Sequence, residues 1–171
     1  MDIRRQVAAA AGSPVIDIAP LGGGCVSVVY EARLGDGRRI VAKADESGSD
    51  TLATEAFMLR YLAERTALPV PAVVAVDGGV LLMEYVEGDS RFDGAAEEDA
   101  AERLAALHAL TAPTFGFERD TLIGGLRQPN RPTAGWLDFF AEQRLIYMAG
   151  EVASFPWDLM QVDIDLNPNT A

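Results

Sequence analysis

VIDIAPLGGGCVSVVYEARLGDGRRIVAKA, residues 15–44, decides the fold. Val15–Leu21 is a short apolar run that ends at Gly22-Gly23-Gly24. Residues 25–34 resume a β-branched, partly alternating pattern (Val26, Val28, Tyr30, Ala32). Gly35-Asp36-Gly37 is a tight-turn signal, and Arg39–Ala44 is a third extended run. Connections this short predict an antiparallel meander, because parallel pairing needs a crossover of about a dozen residues or more.

Downstream, residues 47–50 offer polar N-cap candidates for a helix over Thr51–Arg65, which Pro69 and Pro71 keep from continuing. Residues 73–76 and 80–86 then read as a hairpin around Asp77-Gly78-Gly79. Glu87-Gly88-Asp89-Ser90 is a polar break, and the pattern changes there. Residues 95–110 are helical in composition, residues 111–132 irregular, and residues 134–150 an amphipathic helix carrying Trp136, Phe140 and Leu145. No element is assigned to the acidic stretch from 151 on. The expectation is an α+β chain: a five-stranded antiparallel sheet with one helix over residues 1–86, then a mainly helical part over residues 87–171.

Composition narrows the function. The 171 residues hold 14 Lys plus Arg against 26 Asp plus Glu, a formal charge of -12. A chain so acidic is not expected to bind nucleic acid, which needs clustered bases to neutralise phosphates. One cysteine, Cys25, cannot close an internal disulfide, and with one histidine, His108, no Cys-rich or multi-histidine metal site is expected. The apolar stretch over residues 70–86 is broken by Asp77-Gly78-Gly79, so no membrane span is expected. The apolar run from Val7 to Ala11 is too short for the core of a signal peptide, which makes the cytoplasm the expected location.

Three features carry chemistry together. Gly22-Gly23-Gly24-Cys25-Val26-Ser27 fits G-x-G-x-x-S, a pattern in which glycine backbone lets N–H groups wrap phosphate oxygens. It opens into a strand and not a helix, so it is no dinucleotide fingerprint, and no G-K-[ST] follows. A glycine flap between antiparallel strands covers nucleotide phosphates in kinase-like folds, while a plain turn is the competing reading.

Lys43 is the only lysine beside 13 arginines. It shares a strand face with Val41, and a compact ammonium there can reach α- and β-phosphates. A strand-end lysine reaching water is the alternative. Glu55 stands at i with Met58, Leu59 and Leu62 at i+3, i+4 and i+7, on the apolar stripe of its helix. A carboxylate there is costly unless paired. Lys43 is the evident partner, and an edge position open to water the alternative. Leu82-Met83-Glu84-Tyr85-Val86-Glu87-Gly88 has the form of an interlobe hinge, where the backbone of residues 84–86 would meet an adenine edge.

With these residues in view, the chain resembles the fructosamine (ketosamine) kinases, within the protein-kinase-like aminoglycoside-phosphotransferase and choline-kinase superfamily. Leu21-Gly22-Gly23-Gly24-Cys25 resembles that family's phosphate loop. Phe115-Gly116-Phe117, Thr121-Leu122-Ile123-Gly124 and Gln128-Pro129-Asn130 resemble the segment between its first two C-lobe helices. Trp136-Leu137-Asp138-Phe139-Phe140-Ala141-Glu142-Gln143-Arg144-Leu145 is similar to its W-x-x-F-F-x-E-Q-R-L helix.

The resemblance implies ATP-dependent phosphorylation of a sugar hydroxyl on ketosamines, the sugar adducts of amines and of protein lysines, which reverses glycation. It implies ATP contacts from Gly22, Gly23, Gly24, Cys25, Ser27, Val41, Lys43, Glu55, Glu84, Tyr85 and Val86, and acceptor contacts around Thr121 to Asn130. Mg²⁺ is expected only with the complete machinery. The family's H-G-D-x-x-x-x-N catalytic loop and its I-D-P metal segment do not occur in these 171 residues, so the chain reads as truncated before that loop, with no catalytic or metal residue to name.

His108 reads as a helix-packing residue, and Asp165 as part of a solvated acidic tail. A non-catalytic nucleotide-binding fragment, or a kinase for aminoglycosides or choline-like alcohols, is the competing reading. Cys25, in a loop of backbone N–H groups, is either a redox-sensitive thiol able to dimerise the chain or a small residue packed under the flap. An exposed incomplete C-lobe is a second route to a dimer.

Overall fold

The computed structural model describes residues 2–22, 27–45, 50–77, 79–88, 91 and 93–154. Five strands, β1 (Val15–Leu21), β2 (Val28–Leu34), β3 (Arg39–Ala44), β4 (Val73–Asp77) and β5 (Val80–Glu84), form one sheet in the order β1-β2-β3-β5-β4. All four pairings are antiparallel, as the short connections require. Pro20 lies in β1, an edge strand, where a missing N–H disrupts no ladder between two neighbours. The fifth strand ends at Glu84, two residues before the sequence pattern suggests.

Helices cover both faces of the sheet. α2 (Thr51–Arg65) packs Leu52 and Ala56 against Leu81 and Met83 of β5, with Val41, Leu59, Val73 and Val76 around them. On the opposite face α1 (Ile3–Ala11) buries Val7 among Val15, Ala32, Leu34, Ile40, Ala42 and Leu82. This double cover explains why β5 reads Val80-Leu81-Leu82-Met83 without alternation, all four being buried.

α1 was not expected from the sequence, because its core-facing stripe of Ile3, Val7, Ala10 and Ala11 is mostly short alanine. Its caps define it clearly. The Asp2 carboxylate accepts from Arg4 N–H at 3.1 Å, and Gly12, at φ 64°, closes the other end in a Schellman turn. There Ser13 N–H donates to Ala8 O and Gly12 N–H to Ala9 O, both at 3.3 Å. Arginines then anchor the helix: Arg4 donates to Val15 O and Arg38 to Ala11 O, each at 2.8 Å. Arg38 also grips Asp36 in the β2–β3 turn, and its guanidinium holds that carboxyl down at about 2.

The β4–β5 turn contains a position that only glycine suits. Gly79 has φ 85°, and a Cβ there would lie 2.9 Å from Asp45 O, a backbone atom just past the end of β3. Gly79→Ala adds left-handed strain to that clash and is expected to cost about 1–3 kcal/mol, read as a lower urea midpoint with an unchanged slope.

Two compact units emerge. The first comprises Met1–Pro113 and Asp120–Gln128, the second Thr114–Arg119 and the chain from Pro129 onward. Besides the sheet and its helices, the first unit includes α3 (Gly94–His108) and a short hairpin, β6 (Thr121–Ile123) with β7 (Leu126–Gln128), clasped by an Arg127–Asp120 ion pair. Asp93 caps α3 by accepting from Ala96 N–H at 3.1 Å. No residue of α3 is buried, so His108 is exposed on its last turn and does not pack as expected from its apolar neighbours. A histidine there faces the carbonyl end of the helix dipole.

In the second unit, the expected amphipathic helix is three consecutive segments: α4 (Trp136–Phe140), a π-helical stretch (Ala141–Ile146), and α5 (Tyr147–Ser154). The wider π turn changes which residues face inward. Phe139 and Gln143 are buried, whereas Trp136, Phe140 and Leu145 are 50%, 39% and 58% exposed. Arg144 donates to the side-chain Oδ1 of the buried Asn130 and to Pro129 O, each at 2.7 Å, and lies over the Phe139 ring. Among the described residues no helix is long and apolar enough to cross a membrane.

Candidate functional site

The alternation of β3 sets the site. Ile40 and Ala42 are buried toward α1, which turns Arg39, Val41 and Lys43 to the α2 side. Lys43 lies across from Val29 on β2 and Leu81 on β5. Glu55 stands on α2 between the two buried anchors Leu52 and Ala56, so the helix's own packing points it at the sheet. Lys43 Nζ donates to both Glu55 oxygens at 2.7 Å. The pair sits at the boundary of core and solvent, with side chains 23% and 30% exposed. An ammonium has three hydrogens, and Glu55 takes two, so one donor remains for an incoming anion. The pairing weighed for Glu55 is therefore present, and the edge position open to water is partly true as well.

Gly22 is exposed and Ser27 half-buried at the ends of the β1–β2 loop, while Gly23, Gly24 and Cys25 lie outside the described residues. Gly22 has no atom within 4 Å of a notional Cβ, so nothing described there demands glycine. Beyond β5, Glu84 N–H already donates to Ala72 O at 2.8 Å. The N–H groups of Tyr85 and Val86 make no hydrogen bond among the described residues. Of the three hinge residues, these two retain donors for a ligand edge.

Arg39 and Glu31 on this face were not anticipated from the sequence. Arg39 Nε donates to Glu31 at 2.6 Å and Arg39 Nη1 to Glu87 at 2.8 Å, and its guanidinium lies 3.6 Å from the Tyr85 ring centroid. The hydrogen bond from Arg39 lowers the Glu31 carboxyl below its ordinary range, and Glu31 raises Arg39 in return. The signal was available: Arg39 is two and four residues before Val41 and Lys43 on one strand face.

Of the stretch expected to meet an acceptor, β6 packs against α2, and Asn130 is buried, with its amide spent on Arg119 O and Arg144. Asp165 lies outside the described residues. A separate concavity of about 680 Å³ lies between the C-terminal end of α2 and α3, lined by Arg65, Leu68, Asp99, Arg103, Leu107 and Leu110 among others. It includes neither Lys43 nor Glu55. Its acids and bases are mixed, and Arg103 is already paired with Asp99 at 2.6 Å.

Comparison with known proteins identifies what the chain resembles. The sequence model of the fructosamine kinase family matches residues 1–154. The chain is 28% identical over 141 residues to a chloroplastic protein-ribulosamine 3-kinase of Arabidopsis thaliana, covering 78% of this chain and 42% of that protein. A Synechocystis protein named as a probable ketoamine kinase is 29% identical over 156 residues, 85% of this chain and 51% of its own length. The crystal structure of a Thermobifida fusca protein provisionally named a fructosamine-3-kinase superposes with a TM-score of 0.72 at 31% identity, covering 92% of this chain and 57% of that one. The chain thus spans about half, or less, of the length of these curated relatives.

Proposed function

Because the chain belongs to the fructosamine kinase family, we propose that its first unit binds ATP and serves phosphorylation of a ketosamine sugar hydroxyl. The observation that carries this reading is the Lys43–Glu55 pair, which holds an ammonium on the sheet with one hydrogen unspent. A lysine so oriented grips α- and β-phosphates as a point charge, and the glutamate prevents it from wandering.

In this reading residues 22–27, including Gly23, Gly24 and Cys25, cover the phosphates, and Val41 lines the base. The Glu84 carbonyl and the Tyr85 and Val86 N–H groups meet the adenine edge. The lobe boundary falls at residues 86/87, and the cytoplasm is the proposed location. The acceptor is a fructosamine-type adduct on a small amine or a protein lysine.

Phosphoryl transfer also needs a base for the acceptor hydroxyl and oxygen ligands for Mg²⁺. H-G-D-x-x-x-x-N does not occur in these 171 residues. Among the described residues no group of three His, Cys, Asp or Glu is arranged to hold a metal. This favours a second reading for these residues alone: nucleotide binding without turnover. Isothermal titration with ATP, run beside an ADP-release assay on a fructosyl-lysine peptide, separates the two. Saturable ATP binding with ADP release proportional to acceptor supports the kinase, binding without release supports the fragment, and no binding overturns both.

A further inference from the structure

Arg39 joins two parts of the chain that the sheet itself leaves unconnected. Its guanidinium is held by Glu31 on β2, at 2.6 Å, and from there reaches past the end of β5 to Glu87, at 2.8 Å. Between those carboxylates its plane covers the Tyr85 ring, 3.6 Å from centroid to carbon. The residues it touches after β5 flank Val86, which is itself 62% exposed. The ladder gives out at Glu84, paired with Ile40. Beyond that pair, Arg39 contacts both Tyr85 and Glu87.

The energetic weight falls on geometry and not on charge. Glu87 is 81% exposed, so its ion pair alone contributes little. Glu31 is only 20% exposed, however, and fixes the guanidinium in one plane, so the stack on Tyr85 needs little further ordering. A rigid arginine of this kind sets where the Tyr85 and Val86 N–H groups point.

We propose that Arg39 is a positioning residue for nucleobase recognition: by clamping Tyr85 and Glu87 to β2, it aligns the backbone carbonyl and N–H groups of residues 84–86, whose acceptor-and-donor pattern matches adenine and not guanine. The inference rests on the nucleotide reading above but concerns a separate part of the ligand. Lys43 meets the phosphates; Arg39 acts on the base through the hinge. Loosening the clamp should therefore cost base selectivity while leaving phosphate affinity intact.

The test titrates wild type, Arg39→Ala and Arg39→Lys with three probes: ATP, GTP and inorganic tripolyphosphate. Far-UV circular dichroism confirms that each variant is folded. For Arg39→Ala the ratio of ATP to GTP affinity is expected to fall about tenfold, with tripolyphosphate affinity unchanged. Arg39→Lys keeps a cation for Glu31 but loses the planar fork, and should recover only part of the ratio. A general scaffold role would lower all three affinities together, and that result would overturn the proposal, as would an unchanged ratio. Wild type that binds tripolyphosphate but does not prefer ATP over GTP sinks the Arg39 role and spares the phosphate site. Wild type that binds none of the three removes the nucleotide reading itself.

Discussion

Lys43→Ala is expected to cut ATP-dependent thermal stabilisation by half or more while leaving the fold in place. At a ligand concentration about 100-fold above Kd, binding stabilises the native state by about 2.7 kcal/mol, or several degrees in Tm for a chain of this size. A charge-assisted hydrogen bond to phosphate contributes about 1.5–3 kcal/mol, so its loss weakens binding by roughly 10- to 150-fold. At the same ATP concentration that leaves about half of the stabilisation at the lower figure and about a tenth at the upper. The variant itself should remain close to wild type in stability. Glu55, left without its partner, is 30% exposed and can draw on water.

Glu55→Gln gives the complementary result. Its amide can still accept from Lys43 but no longer carries the charge that fixes the ammonium, so the ATP-induced shift should shrink and not vanish. Differential scanning fluorimetry with and without ATP reads both. An unchanged shift in Lys43→Ala would refute the role of this lysine.

Lys43 and Glu55 were legible because both depend on short-range periodicity. Alternation along Arg39–Ala44 turns Lys43 to the side opposite Ala42, and helical spacing places Glu55 with Leu59. Neither inference needs knowledge of distant chain. What pattern reading missed needs exactly such knowledge or rests on backbone detail. Helix α1 was masked by its alanines, although two signals stood in the sequence: Asp2 and Gly12 as caps, and the unalternating Val80-Leu81-Leu82-Met83, which is comfortable only if both sheet faces are covered. The hairpin of β6 and β7 has strands of three residues, too short for a period to show.

The π-helical stretch over Ala141–Ile146 leaves no signature in hydropathy, and in this segment Phe139 and Gln143 are buried while Trp136, Phe140 and Leu145, which mark the expected amphipathic helix, are exposed. Arg39 was overlooked for a different reason. In a chain that fills its surface with arginine, one more arginine on a strand looks like solvent filler. Only the fold shows that its face is the one shared with Lys43, and that Tyr85 and Glu87 come back to meet it.

The adjacent leucines of β5 offer a direct way to separate the sheet's two faces. Leu81 and Leu82 are both fully buried, and truncating either to alanine should cost about 2–5 kcal/mol. Their neighbours differ. Leu81 packs with Leu52 and Ala56, the two anchors that bracket Glu55 on α2, and is the register partner of Lys43. Leu82 faces the other way, among Val7, Ile40 and Ala42 under α1. A cavity at Leu81 therefore slackens the seat of α2, and with it the distance over which Glu55 holds Lys43. A cavity at Leu82 slackens only the seat of α1. The expected result is two variants with similar losses of urea midpoint but different ATP affinities: weakened severalfold in Leu81→Ala, and close to wild type in Leu82→Ala, each measured by titration at a temperature where both remain folded. Leu81→Val, which removes less, should fall between. Equal losses of affinity in the two alanine variants would mean that the site responds to global softening, and that the packing of α2 on β5 has no special part in setting the Lys43–Glu55 pair.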